Sequence, residues 1–356
     1  MKKHMNFAVV IALILVISAI IISSGTVLAA TDGATVTLSV DTEAFATDQP
    51  VIVHVTIANL TNHSLKVLKW HTPADDVEGS LFAVQRDSLP VAYIGPLFKR
   101  PAPKHVDYIH LKAGESISHD VDIALYYDLS VSGSYRIIYD VSSWDLYSEK
   151  GNGKKDAEQL TSNEISAWIA GRDSGASPSE EPKVRDSGKT SFAQCTTSQQ
   201  SLLVKARTDA STYTAGAQSY LQTNKDGQRY TTWFGLYDAT RYGTVTTHFN
   251  SIDTAMDNAA VAFDCSCKKP YYAYVYPNQP YKIFLCKVFW TAPATGTDSK
   301  AGTLIHEMSH FNTVASTNDW VYGQAGAKSF AITSPAKAIT NADNHEYFAE
   351  NTPALP

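Results

Sequence analysis

Gly302-Thr303-Leu304-Ile305-His306-Glu307-Met308-Ser309-His310-Phe311 carries the pattern His-Glu-x-x-His. On a helix, residues i and i+4 share a face, so His306 and His310 can turn imidazole nitrogens toward one ion. Glu307 directly follows the first imidazole and can reach a water at that ion. Leu304, Ile305, Met308 and Phe311 give the helix apolar flanks that allow burial, and Thr297 or Asp298 can start it. Two imidazoles one turn apart beside a carboxylate form the arrangement of a zinc hydrolase.

A catalytic zinc takes three protein ligands and keeps a fourth position open. A histidine six residues after the second would fall on Ser316, and no carboxylate occurs from Trp320 to Ala342. Asp319 remains, nine residues after His310 and behind a Ser316-Thr317-Asn318 turn. That turn lets the chain reverse and return the carboxylate to the ion. Capping a following helix is the competing role for Asp319; the need for a third ligand favours ligation.

Around this segment the chain has 356 residues, enough for about two domains. Hydrophobic residues make up 44% and charged residues 18%, which excludes a wholly disordered or collagen-like chain. A net charge of −6 lacks the basic excess of a nucleic-acid binder, so no nucleic-acid partner is expected. Lys2, Lys3 and His4 precede an apolar run from Phe7 to Ile22, and Val27-Leu28-Ala29-Ala30 closes it with small residues. Residues 1–30 therefore read as a signal peptide, which predicts a secreted, extracellular protein with no stable membrane anchor after cleavage. Four cysteines in an exported chain predict two disulfides. Cys265 and Cys267 flank a single residue and should have separate partners among Cys195 and Cys286; either pairing satisfies that.

Residues 31–147 alternate in short runs. Val36, Leu38 and Val40 form one, Val51, Val53, Val55 and Ile57 another, and Ser134–Val141 a third. Asp, Asn, Gly and Pro clusters separate them, which predicts an immunoglobulin-like (Ig-like) β-sandwich. Most of the eleven histidines lie before residue 120, none at metal-ligand spacing from another. Residues 148–190 are rich in Gly, Ser, Lys, Asp and Glu and read as a linker, with a short helical piece around Asn163–Ile169. From Cys195 the pattern turns helical: Ser198–Leu221 and Asp238–Val261 are helix candidates, and Tyr271–Tyr276 and Tyr281–Leu285 are short strands about a Pro-Asn-Gln-Pro turn.

His306, Glu307, His310 and Asp319 together resemble the site of the aspzincins, the deuterolysin-type metallopeptidases. The C-terminal part is similar, more closely, to the peptidyl-Lys metalloendopeptidases. The stretches that carry this are Arg229-Tyr230-Thr231-Thr232-Trp233-Phe234-Gly235, Thr295-Gly296-Thr297-Asp298-Ser299, Asp319-Trp320-Val321-Tyr322-Gly323-Gln324 and Asn341-Ala342-Asp343-Asn344-His345-Glu346-Tyr347-Phe348. The likeness covers about residues 190–356 and departs from the family before Asp319, where Ser316-Thr317-Asn318 replaces the usual Gly-Thr pair.

The resemblance implies one Zn2+ per chain on His306, His310 and Asp319, with Glu307 as general base and Tyr322 donating a hydrogen bond to the tetrahedral intermediate. It implies the disulfides Cys195–Cys265 and Cys267–Cys286 and a mainly helical zincin-like catalytic domain with a small β-sheet. Asp343 and Glu346 are spaced i, i+3 and could share a helical face, which alone describes an ordinary solvated acidic pair. The resemblance makes them the pocket for lysine on the P1′ side, so that cleavage falls on the amino side of lysine.

The expected molecule is a multidomain α+β protein. It has a signal peptide (1–30), a β-sandwich prodomain (31–147), a linker with a processing site before Lys183 or Lys189 (148–190) and a zinc metallopeptidase domain (191–356). Its partners are lysine-containing protein and peptide substrates and its own prodomain. Phe98-Lys99-Arg100-Pro101-Ala102-Pro103 reads as a Pro-stiffened loop from which an exposed Lys99 could enter and block the acidic pocket; an ordinary basic surface loop is the alternative. A deuterolysin-like protease of broader specificity and a non-catalytic surface-binding protein are the rival functions.

Overall fold

A computed structural model describes residues 33–147, 158–172 and 190–356. The signal-peptide segment and the cuts expected before Lys183 and Lys189 lie outside the described residues. Among the described residues, no helix is long and apolar enough to cross a membrane. The fold is α+β, with strands dominating the N-terminal half and helices the C-terminal half.

Two sheets share one apolar core in the N-terminal half. Ile52–Ala58 pairs antiparallel with Thr35–Ser39 on one side and Ser116–Asp122 on the other. Val53, Val55 and Ile57 are buried because every second residue of a strand faces the same side. The second sheet runs in the order Ala44–Phe45, Ile165–Ile169, Gly133–Ser143, Phe82–Arg86, Leu89–Pro90. Its Val84, Tyr135 and Ile137 meet Val36, Val53 and Val55 of the first.

The segment expected to be linker contributes two of these strands. Glu158–Thr161 and Ile165–Ile169 both pair antiparallel with Gly133–Ser143, and the helical piece expected around Asn163–Ile169 is a strand. The signal was a short alternation: Ala167 and Ile169 point inward while Trp168 is 54% exposed. Polar flanks on both sides hid it.

In the C-terminal half, Thr197–Thr223 starts at a capping box made by Thr196 and Gln199, and Ala239–Asn258 starts at Asp238, whose carboxylate accepts from Arg241 N. These helices pack with Lys300–His310 and Ala342–Glu350 around a second core. A Cβ at Gly302 would collide with Glu350 Oε1, so the glycine makes room for that carboxylate between the last two helices. The disulfides are Cys195–Cys265 and Cys267–Cys286, the pairing that the resemblance implied. The first ties the start of the long helix to the Ala262–Asp264 strand. The second ties the next turn to the end of Lys282–Leu285.

One sheet joins the two halves. Its order is Ser191–Ala193, Ala262–Asp264, Lys282–Leu285, Ala273–Val275, Leu97–Lys99. The last strand comes from the N-terminal half and runs antiparallel to its neighbour, with Lys99 opposite Ala273, Phe98 opposite Tyr274 and Leu97 opposite Val275. The expectation of an exposed loop at Lys99 is therefore corrected: Phe98 and Lys99 lie in a strand, and Lys99 is 0% exposed.

Ile169 is fully buried in the N-terminal core. Ile169→Ala should destabilise that unit by about 2–5 kcal/mol, read from urea unfolding. A linker residue would give no measurable change.

Candidate active site

The Lys300–His310 helix is buried along its whole length. It starts at Ser299, whose hydroxyl accepts from Gly302 N at 2.9 Å, rather than at Thr297 or Asp298. His306, Glu307 and His310 are all 0% exposed. His310 Nδ1 lies 2.9 Å from the Thr317 carbonyl, a bond that makes it the N–H and leaves Nε2 as the free lone pair.

The chain reverses after this helix as the sequence required. Ser316 takes the left-handed conformation at φ 49°, and Thr317 N donates to Ser309 O at 3.1 Å. Asn318 then bridges to the start of the Ala342–Glu350 helix: its N–H donates to Thr340 O at 2.8 Å and its carbonyl accepts from Ala342 N at 3.0 Å. This pins Asp319, whose Oδ1 sits 3.0 Å from His306 Nε2 and 3.4 Å from His310 Nε2. Asp319 caps no helix. The next helix, Gly323–Thr333, begins after Tyr322, and Trp320 N and Val321 N donate to Asn341 Oδ1 instead.

These donors fit a divalent cation. Ligand atoms of His306, His310 and Asp319 all lie within 4.8 Å of one another. Both Nε2 atoms and both Asp319 oxygens are buried without a hydrogen-bond partner. Buried acceptors facing one another are costly unless something positive satisfies them. Two imidazoles and one carboxylate are a donor set of catalytic zinc.

Electrostatics follow from burial and the converging charges. Burial pushes the Glu307 carboxyl up to about 8, while His306, the Lys99 ammonium and the Lys99 backbone N–H pull it back down. For Asp319, burial works upward, but His310 and His306 hold the carboxyl well below the usual range.

Asp343 and Glu346 lie on one face of the Ala342–Glu350 helix, fully enclosed rather than solvated. Asp343 has a second contact that the sequence did not reveal: its Oδ1 is 2.9 Å from His306 Nδ1, while its Oδ2 accepts from Gly323 N at 2.6 Å. The contact sets a carboxylate beside the first imidazole without a directed hydrogen bond between them.

Lys99 fills the acidic pocket. Its Nζ lies 2.5 Å from Glu346 Oε2, 3.2 Å from Asp298 Oδ1 and 3.7 Å from Asp343 Oδ1. It also lies 4.9 Å from the centre of the Tyr272 ring and 5.8 Å from that of Tyr347. Burial alone would lower its pKa; Glu346, Asp343 and Asp298 instead hold it well above the ordinary lysine value. Asp298 is a pocket residue that sequence reasoning missed, held by the Tyr347 hydroxyl at 2.8 Å. Its only signal was its place in the Thr295–Ser299 stretch.

Tyr322 is buried beside Asp319 and donates to the Phe98 carbonyl at 2.9 Å. Arg100 Nη1 donates to the same hydroxyl at 2.7 Å. Arg100 Nη2 bonds Glu78 through its carbonyl and Oε2, and Lys269 and Tyr271 also bond the Glu78 carboxylate. Trp70 meets the Tyr322 ring edge-on at 5.6 Å. Trp70, Glu78 and Arg100 thus complete the surroundings of the site from the N-terminal half, and no local pattern in the sequence marked them.

Comparison with known proteins finds relatives of this chain. A sequence model of the aspzincin (M35) family, described as lysine-specific metallo-endopeptidase, matches residues 219–350. An "Extracellular protease" of Aeromonas hydrophila is 45% identical over 309 residues, covering 85% of this chain and 89% of its own. The "Peptidyl-Lys metalloendopeptidase" of Grifola frondosa is 35% identical over 322 residues, covering 85% and 88%. A solved zinc peptidase from Grifola frondosa is 50% identical, with 46% of this chain and 100% of its own covered at a TM-score of 0.44. With two such relatives aligned over most of their own length, this chain belongs to the aspzincin family and is a metalloendopeptidase.

Proposed function

We propose that the chain is a secreted zinc endopeptidase that hydrolyses Xaa-Lys bonds and is made as a zymogen. The observation that carries this reading is the Lys99 ammonium, enclosed by three carboxylates beside His306, His310 and Asp319. Export is supported by the signal-like residues 1–30 and by the name of the Aeromonas relative.

His306, His310 and Asp319 would hold one zinc ion, which when bound would supply Lewis-acid polarisation and acidify a water. Glu307 takes a proton from the attacking water on its carboxylate and passes it to the leaving nitrogen. Tyr322 donates its hydroxyl proton to the carbonyl oxygen as negative charge grows there. Asp343 lies against the His306 ring, and Asp298 and Glu346 receive the lysine ammonium of the substrate. Arginine is longer, planar and forked, and a pocket closed around an ammonium by Tyr272 and Tyr347 suits it poorly.

The N-terminal unit is the prodomain in this reading. We assign it to an immunoglobulin-like sandwich that includes the strands up to Ile169, with processing in the segment that follows. Lys99 occupies the substrate pocket and blocks it until the unit is removed.

Four outcomes test this. The processed chain, digesting a protein that contains both lysine and arginine, should yield fragments beginning with Lys. A chelator should abolish the cuts, zinc should restore them, and Glu307→Ala should lower kcat by about 10²–10⁴-fold. Fragments beginning with Arg as often as Lys would instead favour the broader deuterolysin-like specificity. Asp298→Asn should lower kcat/KM on lysine substrates about tenfold, chiefly through KM, with zinc content unchanged. Lys99→Ala should raise the activity of the uncleaved precursor about tenfold or more; an unchanged precursor would remove Lys99 from the inhibition.

A further inference from the structure

We propose that the Phe98–Lys99 peptide bond is itself a cleavage site, seated in productive register and hydrolysed in cis by the same chain. This rests on the lysine-directed reading above and goes beyond it, because blocking a pocket requires only a side chain. A lysine inserted from any direction would neutralise Glu346 and Asp298. The backbone around Lys99 does more than that.

The Phe98 carbonyl, the Lys99 carbonyl and the Lys99 side chain each meet a group that a bound substrate would use. The Phe98 carbonyl accepts from the Tyr322 hydroxyl at 2.9 Å, where the oxyanion would form. The Lys99 side chain fills the pocket on the leaving-group side. The Lys99 carbonyl accepts from Tyr272 N at 3.0 Å, and three residue pairs lock the strand against Ala273–Val275. A segment running in the opposite direction would carry Lys99 into the pocket with its preceding carbonyl away from Tyr322.

The step balances with water as the only co-reactant. The water oxygen bonds to the Phe98 carbonyl carbon, and the bond from that carbon to the Lys99 nitrogen breaks. One water proton passes through Glu307 to that nitrogen. The second water proton leaves the new Phe98 carboxyl for the same nitrogen, so Phe98 ends as a carboxylate and Lys99 as an ammonium.

The nick would leave the N-terminal unit in place. Its strands interleave across the cut: Ile52–Ala58 pairs with Ser116–Asp122, and Phe82–Arg86 with Gly133–Ser143. Arg100 stays anchored on Glu78 and Tyr322. Release would need a later cut beyond Ile169. No disulfide spans the nick, since all four cysteines lie from Cys195 onward, so denaturation alone separates the pieces.

The full-length chain, purified with chelator and then given zinc, should be followed by intact mass and N-terminal sequencing over a wide dilution range. A fragment beginning at Lys99 should appear with a rate independent of concentration, and should be missing in Glu307→Ala and Lys99→Ala. Protection of the Tyr272 amide from hydrogen exchange needs no turnover. It should persist in Glu307→Ala and fall in Lys99→Ala; equal protection in both would refute the seating. If processed enzyme of the same batch cuts a lysine reporter peptide but no Lys99 terminus forms, the segment is a plug and the inference is overturned. A rate proportional to concentration overturns the cis register. Failure to cut the reporter as well would bring down the lysine-directed reading, and this inference with it.

Discussion

His306 Nε2, His310 Nε2 and the Asp319 oxygens face one another in the protein interior, with no hydrogen-bond donor supplied to any of them. The polypeptide does not satisfy them, and a cation would. Much of the C-terminal half serves to hold it. The Thr317 carbonyl fixes the tautomer of His310, and the Asn318 bridge to Thr340 and Ala342 carries Asp319 back to the helix it came from. The Asp343 carboxylate lies against the His306 ring from the other side. Gly302 leaves room for the Glu350 and Glu346 carboxylates between the two helices.

That proximity has an electrostatic cost. Glu307, Asp319, Asp343, Glu346 and Glu350 crowd one interior region. Burial pushes the Glu350 carboxyl up to about 8, and the neighbouring Glu346 adds to the shift. Hydrogen bonds from Ser299 N, Ser299 Oγ and Asp298 N offset part of the cost. The rest needs positive charge. The N-terminal half provides two such groups from adjacent positions, Lys99 to the pocket and Arg100 to the Tyr322 hydroxyl. A buried carboxylate cluster without partners is strongly destabilising, so one requirement links ligand binding, substrate choice and the covering of the site.

How much of this was legible in the sequence depended on how local each determinant is. His306, Glu307 and His310 are fixed by one helical turn, and Asp319 by a single reversal, so spacing alone identified them. The strands at Ile52–Ala58 and Gly133–Ser143 showed through period-two alternation over long runs. Ile165–Ile169 alternates equally well but is short and set in polar sequence, and composition masked it. The disulfide pairing was undetermined by spacing and became readable only through resemblance. The contacts of Arg100 with Tyr322 and of Lys99 with Glu346 join positions more than 200 residues apart, and no pattern within either segment encodes them. The acidic residues that face Lys99 looked like an ordinary solvated pair for the same reason: the sequence does not show what packs over them.

The junction sheet explains how one surface can serve both restraint and recognition. Without Leu97–Lys99, Ala273–Val275 would be an edge strand, with unpaired backbone groups ready to accept an added chain. Backbone pairing at such an edge is indifferent to sequence; selectivity comes from the side chain that enters the neighbouring pocket. Leu97–Lys99 uses both, but only three residues pair, and the rest of its hold comes from Arg100 and Glu78 outside the strand. In the proposed zymogen, a free substrate would make the same edge contacts and the same lysine contact without that anchor. Removing the N-terminal unit would then exchange a tethered strand for an untethered one.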